Sequence, residues 1–535
     1  MLKKPTIILI IAVIVFAGIY FWLATPLRTD FSIEPRFDWP DETANYFWVK
    51  EYAQTGQLFS AEPLNLAAKN QIHPRSFNVR ADGSLVPGSF LGLILLYGTL
   101  AKIFSLKAVI YFTPFFAILG VLAFFGICKR IFNEKVALLS AILMLIHPAW
   151  WYYSVTSMLP NVTFISLILL SIYFLFQGPK LKVSQTLLSA FFMGLALAIR
   201  PSEIIWLIAV YLVVIIYLRE KLKLSHFVLF SAVAFLVFSP SLYQQQILFG
   251  DFLTSGYSQL QADQSGTCQS CQMVKSLILP FGFHPALAAS NFWTHYLSRL
   301  WWLSLLAVLG LVGFLTQKGR QKIEIFGYIL FSLFSFGWLI IYYGSWQFSD
   351  LLTVHLNTLG LSYVRYWLPL YLLALPFIAV GLIVLTNFLK NRWQNSVLIL
   401  LLLALFYPSA NLVLKAKPDS ILPVRERIYN YKQTAWEVIN ATEPDSVIVT
   451  VRKDKVFFPE RKVIHTFEAL SLNQELLAIL PDLTAVAPVY YYALGPEPTL
   501  ELNDGLKLAE VRNIGQEVLY RIENQGVRIK NQSSP

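Results

Sequence analysis

Residues 86–104 read VPGSFLGLILLYGTLAKIF, and whether this stretch crosses a membrane decides the topology of the whole chain. It is apolar enough, and long enough, to cover about 30 Å of hydrocarbon as a helix. Around it, apolar runs of about twenty residues recur along most of the 535-residue sequence. Basic clusters punctuate those runs at Lys129/Arg130, Lys180/Lys182, Arg219/Lys221/Lys223, Lys318/Arg320/Lys322 and Lys390/Arg392. Each lies two spans from the next, as cytoplasmic loops should. If 86–104 spanned, every one of these clusters would fall on the outer side. The stretch therefore reads as a helix lying at, or dipping into, the outer interface, within a first outer loop of residues 25–107. The remaining apolar segments fall at 6–24, 108–128, 135–155, 161–177, 185–200, 201–218, 225–245, 296–316, 323–343, 364–388 and 393–414. They predict about eleven transmembrane helices, with the N-terminus inside behind Lys3 and Lys4, and the C-terminus outside.

Composition agrees with a multi-pass protein of the cell membrane. The chain is 56% hydrophobic and 14% charged, with a mean hydropathy of +0.57. No alternating β-barrel segments occur, so the spans read as helices. The net charge of +11 does not point to nucleic acid, because residues 416–535 carry 14 Lys/Arg against 16 Asp/Glu and the surplus lies in short inter-helix loops. The chain divides into a membrane domain, 1–415, and a small extracytoplasmic α/β domain, 416–535. In the latter, RERIYNYKQTAWEVINA and LNQELLAIL read as helices. SVIVTV, KVFF, KVIH and VAPVYYYA read as strands before a closing hairpin.

Polar residues then converge on the outer face. Asp41 and Glu42, in Trp39-Pro40-Asp41-Glu42, follow the first span closely. Asp38, His73, Arg75, Arg80 and Asp82 share that loop. Arg200 ends one span just before Pro201, and Arg365 sits at the outer mouth of another. An arginine in a spanning helix is costly unless it pairs with an anion or reaches the interface. Two of them on the face of the acid pair point to an anionic ligand at headgroup depth, because the guanidinium fork suits phosphate. The competing readings are snorkelling of both arginines to lipid headgroups and a helix N-cap role for Asp41. Trp150-Trp151-Tyr152-Tyr153, near His147, reads as an interfacial aromatic belt rather than a sugar platform.

The stretch PDETANYFWVKEYAQTGQLF (40–59) resembles the first-loop motif of the GT-C superfamily, the polyprenyl-phosphate-sugar-dependent glycosyltransferases. That superfamily includes the protein O-mannosyltransferases and the lipid A aminoarabinose transferases. HPRSFNV (73–79) and 86–104 resemble the loop and juxtamembrane helix that follow. CKRIFNEKVALLSAILMLIHP (128–148), LALAIRP (195–201) and VRYWLPLYLLALP (364–376) resemble later segments in the same order, so that the resemblance covers residues 1–390. It departs from the family pattern where His73-Pro74-Arg75 replaces the usual His-Pro-Pro. It implies a GT-C fold and a hexosyl- or pentosyltransferase with a lipid-linked donor and a protein, lipid or glycan acceptor.

The residues fit that chemistry in their own right. A sugar phosphate already carries a good leaving group, so one base on the acceptor hydroxyl suffices. Asp41 is the candidate base. Glu42 would orient it, bind the acceptor or hold a divalent cation (Mg or Mn). Asp38, with Asp251 or Asp263, would support the site. Arg200 and Arg365 would bind the departing phosphate, with His73, Arg75 and Arg80 as further ligands. No Gly-rich phosphate loop is evident, and a membrane-resident donor is the economical choice. The alternatives are a glycan ligase or polymerase using a polyprenyl-diphosphate donor and, from another class, a transporter or flippase. Cys268 and Cys271 form CxxC in a later outer loop and read as a local disulfide, with free thiols as the alternative.

Overall fold

The computed structural model describes residues 4–27, 31–178, 180–257, 278–316, 323–347, 358–467, 469–470, 473–495, 501–502 and 505–524. Asp263, Cys268, Cys271 and the cluster Lys318/Arg320/Lys322 lie outside them.

Among the described residues, seven helices are long and apolar enough to cross a membrane: Lys4–Ala24, Leu106–Ile131, Pro201–Leu218, Leu224–Phe249, Ile325–Gly344, Leu368–Thr386 and Trp393–Leu414. Two bent pairs bring the number to nine if each is one span. Glu134–Ile146 turns by 55° into Pro148–Val155. Extended His147 stands at that break, and Pro148, with its missing N–H and preset φ, opens the second helix. Pro285–Leu297 turns by 100° into Trp301–Thr316. Two further expected spans are the helices Pro160–Leu175 and Val183–Ile199, of 16 and 17 residues, roughly 24–26 Å long. All eleven expected segments are thus built on helix, but not all are single straight spans. The expected segment 364–388 is broken in two: a one-turn helix, Ser362–Tyr366, precedes Leu368–Thr386. The break falls at Trp367, and Pro369, in the first turn of the second helix, has no N–H to continue the ladder back to the Arg365 carbonyl.

The deciding stretch forms Gly92–Phe104, a helix of 13 residues. At about 1.5 Å per residue it falls well short of the hydrocarbon thickness. It lies on Pro40–Thr55 and Val183–Ile199, and glycine permits the approach. A Cβ on Gly92 would stand 2.1 Å from the Ala198 carbonyl carbon, and one on Gly98 would stand 2.6 Å from the Tyr52 ring. This contact places the end of Val183–Ile199, and so Arg200, under the first loop.

The chain leaves the bundle through Ile421–Ala441 and forms a six-stranded sheet. After the short first-loop hairpin of β1 (Phe77–Val79) and β2 (Leu85–Pro87), the strands are β3 (Val447–Val451), β4 (Lys462–Thr466), β5 (Val489–Leu494), β6 (Glu501–Leu502), β7 (Leu506–Ile514) and β8 (Glu517–Asn524). Their order is β4-β3-β5-β8-β7-β6, parallel across the first three and antiparallel thereafter. Gln474–Val486 packs on it through Leu476, Ile479, Leu480 and Leu483. One expected strand, KVFF, belongs instead to the one-turn helix Asp454–Phe457. Four apolar or half-apolar residues carry too weak a period to separate a strand from a helical turn.

The aromatic run is also corrected. Trp150, Trp151, Tyr152 and Tyr153 are each at most 1% exposed, so they are core rather than belt or platform. Tyr153 donates its hydroxyl to the carbonyls of Leu359 and Leu361 (2.7 and 3.0 Å), fixing the loop that leads to Arg365.

Candidate active site

Helix Pro40–Thr55 aims its two acids apart. Trp39 is its N-cap and Pro40 occupies the first turn. Glu42, not Asp41, does the capping: its Oε2 accepts from the Trp39 N–H at 3.1 Å, the reach-back half of a capping box. Asp41 is therefore released from the helix end, and the N-cap reading does not hold for it. Its Oδ1 accepts from the Ser76 hydroxyl at 2.6 Å, and its Oδ2 from Arg365 Nη1 and Nη2 at 3.3 Å each. The helix N-terminus favours a carboxylate at this position.

Asp41 lines a cleft with Asn45, Ser89, Asn161, Arg200, Tyr257, Arg365 and Tyr366. Its free interior is only about 20 Å³, roughly the room one water needs, because the acid and arginines fill it. Both arginines are 7% exposed. Arg200 donates through Nε to Glu203 Oε1 at 3.0 Å and through Nη2 to the Tyr343 hydroxyl at 2.8 Å. Its Nη2 lies 2.8 Å from the same carboxylate. The guanidinium carbons of Arg200 and Arg365 each lie 5.0 Å from the centroid of the Tyr366 ring, within cation–π range. Neither arginine snorkels. Arg365 Nε and Asn161 Oδ1 are buried without a hydrogen-bond partner among the described residues. The cleft thus holds an unspent cationic donor and an unspent acceptor.

Sequence reasoning placed Asp41, Arg200 and Arg365 together, and the geometry does the same. It missed Ser76, Glu203 and Tyr257. Glu203 was readable as an i,i+3 partner in Arg200-Pro-Ser-Glu203; Ser76 and Tyr257 carry no sequence signal that separates them from other loop residues.

The other expected ligands do not line the cleft. Asp38 pairs with Arg427 at 2.7 Å and with Lys455 at 3.8 Å. Arg75 binds Asp454 at 2.7 Å. Arg80 stands at the surface beside Asp82. His73 meets His465 edge to face, with ring centroids 5.2 Å apart, where its backbone bridges β4 at Ile464. Burial, joined by the neighbouring His465, lowers the His73 imidazole to about 4. Asp251 accepts from the Leu253 N–H and the Thr254 hydroxyl in its own turn. Of these, Asp38, Arg75 and His73 bind the first loop to the C-terminal domain, together with Arg36–Glu460 (2.6 Å) and Lys462–Glu62 (3.0 Å).

Glu42 is 4% exposed and faces a second hollow lined by Leu23, Asp38, Tyr152, Arg425 and Lys432. Burial pushes its carboxyl up to about 8, despite the opposing Trp39 N–H. A divalent cation does not fit here. Glu42 and Asp41 turn away from each other, Asp41 is taken by a serine and an arginine, and no group of three His, Cys, Asp or Glu gathers among the described residues.

Comparison with known proteins agrees with this architecture. Residues 92–243 match the family model for dolichyl-phosphate-mannose-protein mannosyltransferase. ArnT from Cupriavidus metallidurans, solved bound to undecaprenyl phosphate, matches with a TM-score of 0.52 at 11% identity, over 99% of each chain. The Archaeoglobus fulgidus oligosaccharyltransferase, solved in complex with Zn and sulfate, matches with a TM-score of 0.51 at 13% identity, over 90% of this chain and 67% of that one. The same enzyme tethered to an acceptor peptide containing the NVT sequon gives 0.51 at 13% identity, over 92% and 69%. No curated protein matches in sequence. The chain is a polytopic membrane protein with the GT-C glycosyltransferase fold and a small C-terminal sheet domain.

Proposed function

We propose that this protein transfers a sugar from a polyprenyl-phosphate carrier to an acceptor hydroxyl at the extracytoplasmic face, inverting the anomeric centre. One observation carries the reading: Asp41, held by Ser76, faces Arg365 in a cleft that Arg200 also lines. The partial match to a mannosyltransferase family, and the undecaprenyl phosphate bound by ArnT, support a lipid-linked donor.

The donor phosphate competes with Asp41 for Arg365, whose Nη contacts to the carboxylate are long and whose Nε is unspent. Phosphate draws the guanidinium away and frees Oδ2. The carboxylate then takes the proton of the acceptor hydroxyl as its oxygen attacks the anomeric carbon. The carbon–phosphate oxygen bond breaks, and polyprenyl phosphate leaves with its charge on Arg365 and Arg200. Orientation is supported by the basic loops, which meet at one end of the bundle: Arg130 bonds the Tyr217 hydroxyl at 2.9 Å, and Lys221 reaches the Gly178 carbonyl at 3.4 Å.

The test is sugar release from a panel of undecaprenyl- and dolichyl-phosphate sugars by purified protein in nanodiscs. Turnover with at least one donor that is lost in Asp41→Asn is expected. Full turnover in that variant removes Asp41 from the mechanism.

A further inference from the structure

The contact between Ser76 and Asp41 is the end of a chain of bonds that begins in the C-terminal domain. Asp454 opens the helix Asp454–Phe457 and is wholly buried. Its Oδ2 accepts from the Arg75 backbone N–H at 2.8 Å and its Oδ1 from Arg75 Nε at 2.9 Å, while Arg75 Nη2 lies 2.7 Å from the same Oδ1 as an ion pair. Arg75 Nη2 also donates to the Arg452 carbonyl at 2.6 Å. One arginine is thereby gripped at its backbone and at its guanidinium by a single loop of the C-terminal domain. Burial alone would raise the Asp454 carboxyl, but Arg75 outweighs it and holds the group below the usual carboxylate range.

The residue after Arg75 is Ser76, and its backbone is left-handed at φ 65°. A side chain other than glycine, asparagine or aspartate rarely adopts this conformation without an outside constraint. Two constraints are visible. Asp454 fixes the peptide on one side. On the other, the Gly88 N–H donates to the Ser76 carbonyl at 3.2 Å, and a Cβ on Gly88 would stand 2.6 Å from that oxygen. The strained turn points the Ser76 hydroxyl at Asp41 Oδ1, 2.6 Å away. The other carboxylate oxygen faces Arg365.

We propose that Ser76 is a positioning residue for the catalytic carboxylate of Asp41, and that the C-terminal domain sets it through Asp454 and Arg75. The proposal rests on the reading of Asp41 as the base. While Arg365 engages the donor phosphate, Ser76 is the remaining partner that keeps Oδ2 turned toward the acceptor hydroxyl. The appended domain is then a working part of the reaction centre, although none of its described residues lines the Asp41 cleft.

Glycine separates positioning from support of the fold, because Ser76→Gly relieves the left-handed strain while deleting the hydroxyl. That variant should melt no lower than the parent. Its kcat should fall about tenfold, the scale of one hydrogen bond to an ionised group, with the donor KM unchanged. Infrared difference spectra, referenced to Asp41→Asn, should show the Asp41 carboxylate stretch displaced in Ser76→Gly. Asp454→Asn should displace it in the same direction, and should add nothing in the Ser76→Gly background. An unmoved band in Ser76→Gly, or additive displacements in the double variant, overturns the relay. The two failures are distinguishable. An inactive Asp41→Asn with an unmoved band removes only the relay, whereas an active Asp41→Asn removes the base and with it the positioning role, a displaced band then reporting a structural contact alone.

Discussion

Arg365 and Asp41 stand 324 residues apart in the chain and meet at 3.3 Å, the arginine almost wholly buried and the acid one-third exposed. The pair closes the cleft to anything larger than a water. In the reaction proposed above it also sets the order of events, because the acid would be released when the donor phosphate claims the arginine. Arg365→Leu should therefore abolish saturable donor binding, and Arg365→Lys should restore it only in part, since a point charge cannot reproduce a bidentate fork. Titration of the purified protein with undecaprenyl phosphate, followed by intrinsic tryptophan fluorescence, reads this directly. Parent-like affinity in Arg365→Leu would move the phosphate site elsewhere.

Arg200 behaves differently because Glu203 already neutralises it. Arg200→Leu strands a buried carboxylate and should cost about 3–5 kcal/mol of stability. The double variant Arg200→Leu/Glu203→Gln should recover most of that loss in a thermal melt. Donor affinity should stay depressed in both if Arg200 also holds the phosphate. Recovery of affinity along with stability would make the Arg200–Glu203 pair a purely structural one.

Glu42 gives a pH signature. Its carboxyl lies at about 8 in the folded chain against 4.5 as a free group. Between these values the unfolded chain gives up a proton that the folded chain keeps, so stability falls as pH rises through the window and levels off above about 8. At about 1.4 kcal/mol per pH unit, the whole penalty is on the order of a few kcal/mol. Glu42→Gln keeps an acceptor for the Trp39 N–H and carries no proton. Its melting temperature should match the parent near pH 5 and exceed it near pH 8, and parallel curves would show that Glu42 is ionised in the fold.

His73 gives the opposite slope. Burial depresses it to about 4 against 6.5, so the unfolded chain takes up a proton first as pH falls. Stability should therefore be lost from about pH 6.5 down to pH 4, with the first loop loosening from β4. Limited proteolysis across that range should cut the loop earlier in the parent than in His73→Phe. Identical digestion patterns would exclude His73 from the acid response.

Topology makes a separate prediction. A reporter fused after Phe104 should read as extracytoplasmic, and one fused at Lys129 as cytoplasmic. A cytoplasmic signal after Phe104 would reverse the sidedness of the cleft.

Composition, apolar run length and basic-loop spacing were enough to set the class of fold, the helical segments and the short helix Gly92–Phe104, because the cost of burying backbone and charge in lipid acts on contiguous segments. That Asp41, Arg200 and Arg365 share one cleft was legible too, because the arginines stand at the ends of apolar runs and Asp41 in an adjacent acid pair on the same side. Tertiary structure decided what those charges do. Glu42 stands at the third helical position behind Pro40 and caps its own helix, which is local, but that Asp41 turns to the cleft depends on Ser76 and Arg365 from distant segments. The partners Glu203 and Asp454 take Arg200 and Arg75 into salt bridges, so an arginine that reads as unpaired in the sequence already has a carboxylate partner in the fold. Hydrogen bonds and ion pairs depend on angstrom-scale placement of groups hundreds of residues apart. The hydrophobic pattern that builds the bundle sums over whole segments, and is blind to that placement.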